Sequence, residues 1–157
     1  MRGFTLRAVP VCVVAFAAGC FFTNSSVTPD NGKSAPTVTH TYWQGVSAAL
    51  AQRPAGNDLK AMLQTVRAQT DALRGLSPDG VDETLVAAVN DVIRAEDEVL
   101  HVADMVGEDL GALRTSKEMA VAFQTANRKA ADAKKRVRGL RDALNTRYGG
   151  GFAVLGG

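Results

Sequence analysis

Between residues 81 and 113 apolar side chains return on an almost unbroken 4-3 spacing: Leu85, Val89, Val92, Val99, Ala103, Val106, Leu110 and Leu113, with Glu96 standing in one core-type slot. That alternation keeps a stripe on one side of an α-helix and forms the seam along which helices pack. From Met119 the same beat returns through Phe123, Ala126, Ala130, Ala133, Val137, Leu140 and Leu144. Two long helices are therefore predicted. Asp82 can cap the first after the Pro78-Asp79-Gly80 turn, and Thr115 with Glu118 reads as a capping box for the second. With only a residue or two between them, the pair must fold back as an antiparallel hairpin about residues 114–115.

Two shorter amphipathic pieces precede the hairpin. Trp43, Val46 and Leu50 mark the first; Leu59, Leu63, Val66, Thr70 and Leu73 mark the second, with Asn57 as its cap. Pro54 and Gly56 interrupt between them. Together the pieces match the length of one hairpin arm. The fold class expected is therefore all-α: an antiparallel three-helix bundle with coiled-coil-like packing, its first helix broken near Pro54, or four helices if the break separates the two pieces. Gly107 and Gly111 weaken the end of the middle helix by about 1 kcal/mol each relative to Ala. Gly149 and Gly150 stop the last helix, and the tail 149–157 then offers an apolar plug, Phe152 to Leu155, that either folds back on the bundle or stays loose.

Charge sharpens the hairpin. Residues 81–113 carry nine acids against the single base Arg94, whereas residues 116–147 carry nine bases against Glu118, Asp132 and Asp142. An acidic helix is expected to lie against a basic one, with Asp91 near Arg138 and Glu98 near Lys134 or Lys135. Exposed pairs of this kind contribute about 0–1 kcal/mol each, so they set register more than stability.

The amino-terminal stretch obeys different rules. Arg2 and Arg7 precede an apolar run from Ala8 to Ala18, which is interrupted by Pro10 and followed by Gly19-Cys20. The run is shorter than the ~20 residues a spanning helix needs, so it reads as a signal peptide over 1–19. Ala17-Ala18-Gly19-Cys20 resembles the lipobox of bacterial lipoproteins, with Ala17 where Leu is commoner. The resemblance implies cleavage between Gly19 and Cys20, a diacylglycerol thioether on Cys20 and acylation of the new amino terminus. The alternative is an ordinary secretory signal with Cys20 a spare thiol. Cys12 would leave with the signal, so no internal disulfide is expected. Phe21 follows the cysteine where an aspartate favours inner-membrane retention in diderm bacteria, so the resemblance implies a cell-envelope location, in the outer membrane if the host has one. Residues 20–41, rich in Ser, Thr, Asn, Pro and Gly, read as the lipidated cysteine and a flexible tether reaching some 25 Å. The helical bundle is assigned to 42–148.

Composition bears on function mainly by exclusion. Aromatics make up only 6% of the chain, so a core of Ala, Val and Leu is expected. Without Arg2 and Arg7, the 18 basic residues fall to 16, equal to the 16 acids, which argues against nucleic acid as a partner. His40 lies in the tether stretch and His101 off the seam. Glu98-Val99-Leu100-His101 has the Glu-x-x-His spacing of helical metal sites but lacks the second copy such sites need, so no metal and no cofactor are expected. Ser47, Ser77 and Ser116 have no histidine at an informative spacing, and no catalytic residues are assigned.

Glu96 lines a ligand pocket or, as favoured here, fixes register. Arg128, Lys129, Lys134, Lys135, Arg138 and Arg141 form a candidate polyanion-binding set, with a solvated face the blander reading. The segment Leu76-Ser77-Pro78-Asp79-Gly80-Val81-Asp82-Glu83-Thr84-Leu85 resembles the Leu-Pro-x-x-Gly-Val-Asp-x-Glu-Leu turn of small helical bacterial proteins of unknown function, which implies a turn between helices and no activity. The expectation is a non-enzymatic lipoprotein: a helical interaction or structural module joined to the membrane by its acyl chains, with an envelope protein as candidate partner. The alternative is a polyanion or lipid-headgroup binder using the basic helix 116–147.

Overall fold

A computed structural model describes residues 35–107 and 111–155. The expected signal peptide over 1–19, Cys20, the expected tether up to residue 34 and the seam position Leu110 lie outside the described residues. What is described is an all-α bundle: α1 (Ala35–Leu50), α2 (Leu59–Arg74), α3 (Glu83–Val106), the single turn α4 (Ala112–Thr115), α5 (Lys117–Gly139) and α6 (Arg141–Tyr148).

The hairpin of α3 and α5 is the largest interface, and the seam read from sequence forms it. Leu85, Val89, Val92, Glu96, Val99 and Ala103 are buried on α3 against Ala126, Ala130, Ala133 and Val137 on α5, while Leu144 continues the line on α6. The alanines hold little apolar volume, so the two backbones can approach closely. Asp82 caps α3 as expected, its Oδ1 accepting from Thr84 N at 2.9 Å and Leu85 N at 3.2 Å.

Several local expectations are corrected. The middle helix ends at Val106 rather than Leu113, because Gly107 takes φ +76°, a left-handed conformation that costs glycine least. The connection to α5 therefore runs over 107–116 and contains α4, rather than a residue or two. The cap of α5 is Ser116, whose Oγ accepts from Met119 N at 3.3 Å, while Thr115 closes α4 and donates to Gly111 O at 3.2 Å. Likewise α2 is capped by Asp58, accepting from Ala61 N at 2.7 Å, rather than by Asn57.

The chain also becomes helical earlier than expected. Residues 35–41, assigned to the tether, form the start of α1. They are poor in strong helix formers, but Thr39 is wholly buried, and its hydroxyl accepts from Asp82 N at 3.1 Å. Tertiary contact outweighs propensity there.

Pro54 does fall in the interruption, and the break separates two helices instead of bending one. Gln69 Nε2 on α2 donates to Gln52 O just past α1 at 3.0 Å, and Leu76 lies against Gly45, so α1 and α2 run antiparallel. Arg67 with Asp104 at 2.5 Å and Arg74 with Asp97 at 2.5 Å fix α2 antiparallel to α3. Residues 53–58 form a non-helical strap. Alongside α3 and α5, α1 and α2 complete the four-helix form of the bundle. Its two poles differ: the start of α1, Asp82 and the end of α6 share one, while the start of α2, the end of α3 and the start of α5 share the other.

Finally, the tail packs. Phe152 and Leu155 are buried, Phe152 stacks on His40 with ring centroids 3.9 Å apart, and Trp43 Nε1 donates to Ala153 O at 3.0 Å. Asn145 holds the turn by exchanging side-chain hydrogen bonds with both backbone groups of Phe152.

Candidate functional site

The most unusual feature of the interior is Glu96, a carboxylate with no solvent exposure in the middle of the α3 seam. An unpaired charge there would cost several kcal/mol. Lys134 Nζ from α5 lies 2.7 Å from Oε1, and the Thr70 hydroxyl from α2 lies 2.8 Å from Oε2. That hydroxyl has one proton and is also 2.8 Å from Val66 O; the carboxylate is the stronger acceptor. Nζ meets Oε1 as an ion pair, off the direction of a hydrogen bond, and donates instead to Gln69 Oε1 at 2.8 Å. Gln69 in turn reaches Gln52 O. One polar node thus ties the end of α1, α2, α3 and α5 together at a single level.

A second node caps the pole where α1 begins. The Asp82 Oδ2 atom accepts from Tyr148 OH at 2.9 Å and from the Arg147 guanidinium. Burial pushes the Asp82 carboxyl up, but the hydrogen bonds from Tyr148, Leu85 N and Arg147, with the guanidinium charge, outweigh it and hold the group below its ordinary range. The same contacts raise Arg147, whose charge is favoured by Asp82. Tyr148 is raised by burial first and then by the adjacent carboxylate, so its phenol stays protonated and donating.

Two clefts open on the surface. One, of about 400 Å³, lies between the first half of α2 and the last turn of α3, lined by Lys60, Leu63, Gln64, Arg67, Ala103, Asp104 and Gly107. The other, about 310 Å³, is a charged groove between α3 and α5 lined by Asp91, Arg94, Ala95, Glu98, Lys129, Asp132 and Arg136. Neither of these two clefts is lined by Glu96 or Lys134. The contacts of Glu96 are with side chains of the neighbouring helices, Lys134 and Thr70.

The six candidate polyanion-binding residues do not form one set. Lys129 Nζ is held 2.7 Å from Glu98, Lys134 is held by Glu96, and Arg141 lies 2.7 Å from Asp142. Arg128, Lys135 and Arg138 are exposed and pair with no described residue. The register of the charged edge is also corrected. Asp91 faces Arg136 at 3.6 Å rather than Arg138, and Glu98 faces Lys129 rather than Lys134 or Lys135. Lys129 and Arg136, seven residues apart, share the α5 edge beside α3, whereas Lys134 turns toward α2.

Gly19 and Cys20, the expected cleavage and lipidation positions, lie outside the described residues. His40 stacks on Phe152, and His101 is exposed on the outer side of α3. Glu98 of the Glu-x-x-His spacing is engaged by Lys129, and among the described residues no three His, Cys, Asp or Glu side chains converge as a metal site. Ser77 and Ser116 meet Asp79 and Glu118, not histidine. Among the described residues no helix is long and apolar enough to cross a membrane.

Sequence reasoning reached Glu96 and the cap at Asp82 but missed the partners of both. The tail contact left a fainter signal: an apolar Phe152–Leu155 segment directly after a glycine stop. Compared with known proteins, the chain matches no family model, no curated protein and no solved structure.

Proposed function

We propose that this chain is an envelope lipoprotein whose bundle is a non-catalytic docking module, fastened to the membrane by acyl chains on Cys20. The observation that carries the reading is in the sequence: a cysteine directly after Ala17-Ala18-Gly19, at the end of a basic start and a short apolar run. Two acyl chains or more anchor durably, at ~0.8 kcal/mol per buried methylene.

Features of the bundle support the module reading. Its charged interior residues, Glu96 and Asp82, are consumed in holding helices together. Fourteen residues separate Cys20 from the start of α1, which lies at the pole where the tail also docks. Fully extended, that stretch spans at most about 50 Å. The opposite pole carries the larger cleft and two methionines that are about half exposed, Met62 at 48% and Met105 at 56%. Flexible thioether side chains of this kind suit adaptable protein contacts, so that pole is the proposed partner face.

Intact mass of the membrane-extracted protein tests the anchor. The expected product lacks residues 1–19 and carries the added mass of diacylglycerol and acyl groups at Cys20, and a Cys20→Ser chain leaves the membrane fraction in a high-salt wash that retains the acylated chain. An unmodified thiol, or a product retaining the first nineteen residues, would end the reading.

A further inference from the structure

Once the paired cations are set aside, the outward face of α5 emerges as a line of unanswered positive charge. Lys117, Arg128, Lys135 and Arg138 are all exposed, and none makes an ion pair or side-chain hydrogen bond with a described residue. At 3.6 residues per turn they fall, with exposed Gln124 and Val121, inside a sector about 100° wide, roughly opposite the buried Ala126, Ala130, Ala133 and Val137. Asp132 flanks the stripe on the side turned toward α3, while Glu118 and Asp142 stand beside its two ends, Asp142 held by Arg141. From Lys117 to Arg138 the line is about 32 Å long.

We infer that this face of α5 docks on an anionic lipid surface. The stripe lies on the outward face of one helix and lines neither of the two clefts, a shape that matches a plane better than a single extended polymer. No aromatic side chain stands on it to stack on bases. Val121, 53% exposed among the cations, is an apolar side chain placed where it can enter a headgroup layer, the arrangement of an interfacial helix. The inference does not need the acyl anchor, although an anchored bundle would meet this surface at high local concentration.

The test uses the full chain on vesicles of phosphatidylcholine alone or mixed with phosphatidylglycerol, with a photocrosslinking side chain introduced at Gln124 or, on the outer face of α3, at His101. Lipid adducts are expected at Gln124 and not at His101, only on the anionic vesicles, and fading as salt is raised. Each cation removed should weaken the contact about fivefold, so the combined Arg128→Glu, Lys135→Glu and Arg138→Glu chain should lose it at least 100-fold. A chain with the same charge change elsewhere, Arg53→Glu, Lys60→Glu and Arg114→Glu, should keep most of it.

Equal loss in both triple variants, adducts at both positions, or adducts that ignore lipid charge would each overturn the inference. So would retention of an inorganic polyphosphate with no lipid adduct at Gln124, which would assign the stripe to a soluble polyanion. Flotation on the neutral vesicles reads the acyl anchor separately: a chain that fails to float there but crosslinks on the anionic ones loses the anchor and keeps the stripe.

Discussion

Glu96 shows how much one residue can specify. In the seam it occupies a slot that Leu or Val would fill with more apolar burial, yet it selects Lys134 from nine cations on the facing segment. Removing either partner leaves the other uncompensated, most severely for the carboxylate, which cannot reach water; Lys134 retains 22% of its side-chain exposure. Lys134→Ala is expected to destabilise the fold by about 3–5 kcal/mol, whereas joint replacement by Glu96→Met and Lys134→Met should be neutral or stabilising, both read from urea unfolding. If Lys134→Ala alone changes nothing, the pair is not coupled.

Asp82 adds a pH dependence. Its carboxyl is held below the ordinary value near 4, so its contribution is fully present above that pH and is lost as pH falls through the lower, folded-state value. Unfolding midpoints should therefore decline on acidification below about pH 4, and Asp82→Asn should flatten that part of the profile. Both residues were visible in the sequence, as a polar intruder in a heptad and as a cap. Their partners were not, since Lys134 and Lys135 look alike until the angle of α5 about its axis is known, and Arg147 lies 65 residues from the carboxylate it meets.

At the scale of elements, periodicity carried the reading where the apolar stripe is continuous and failed where contacts decide. The stripes of α3 and α5 were legible because packing uses every turn. The start of α1 was not, because Pro36, Thr37, Thr39 and Thr41 look like linker and become helical against Asp82 and the tail. The end of α3 was hinted at by Gly107 but masked by a heptad that continues in sequence to Leu113.

The tail and α1 form one contact, and Trp43, the chain's single tryptophan, reports on it. Phe152→Ala removes the stack on His40 and the edge contact with Trp43, so about 3 kcal/mol of stability should be lost and the indole emission should move to the red. Gly151→Ala should act in the same direction. Its backbone sits at φ +93°, and an added Cβ would lie 2.6 Å from His40 Cε1. An unchanged emission maximum in Phe152→Ala would show that the tail does not shield the indole.

Across the whole molecule the helices are unequally secured. In α3 burial recurs on nearly every turn, but in α2 the buried residues are Gln69, Thr70 and Leu73, all in its second half. The first half of α2 lines the larger cleft, beyond the level at which α1 ends and Gln52 meets Gln69. Backbone amides over 61–67 should exchange with solvent at least 100-fold faster than those over 89–99, with Thr70 near the boundary because Glu96 pins it. Uniform protection along α2 would contradict this view of the bundle. The sequence could suggest a helix for 59–74 but not its uneven depth, since Leu59, Leu63 and Val66 read as core and are only half-buried.

That the described chain starts and stops at one pole makes the bundle open to rewiring. A glycine-serine bridge of about ten residues from Leu155 to Ala35 would run back along α1 past the Trp43–Ala153 and His40–Phe152 contacts, and new ends could be cut in the strap near Gly56. Such a permuted chain would carry its free termini away from the tail, offering a handle for attaching dyes or surfaces without disturbing the Trp43 contact.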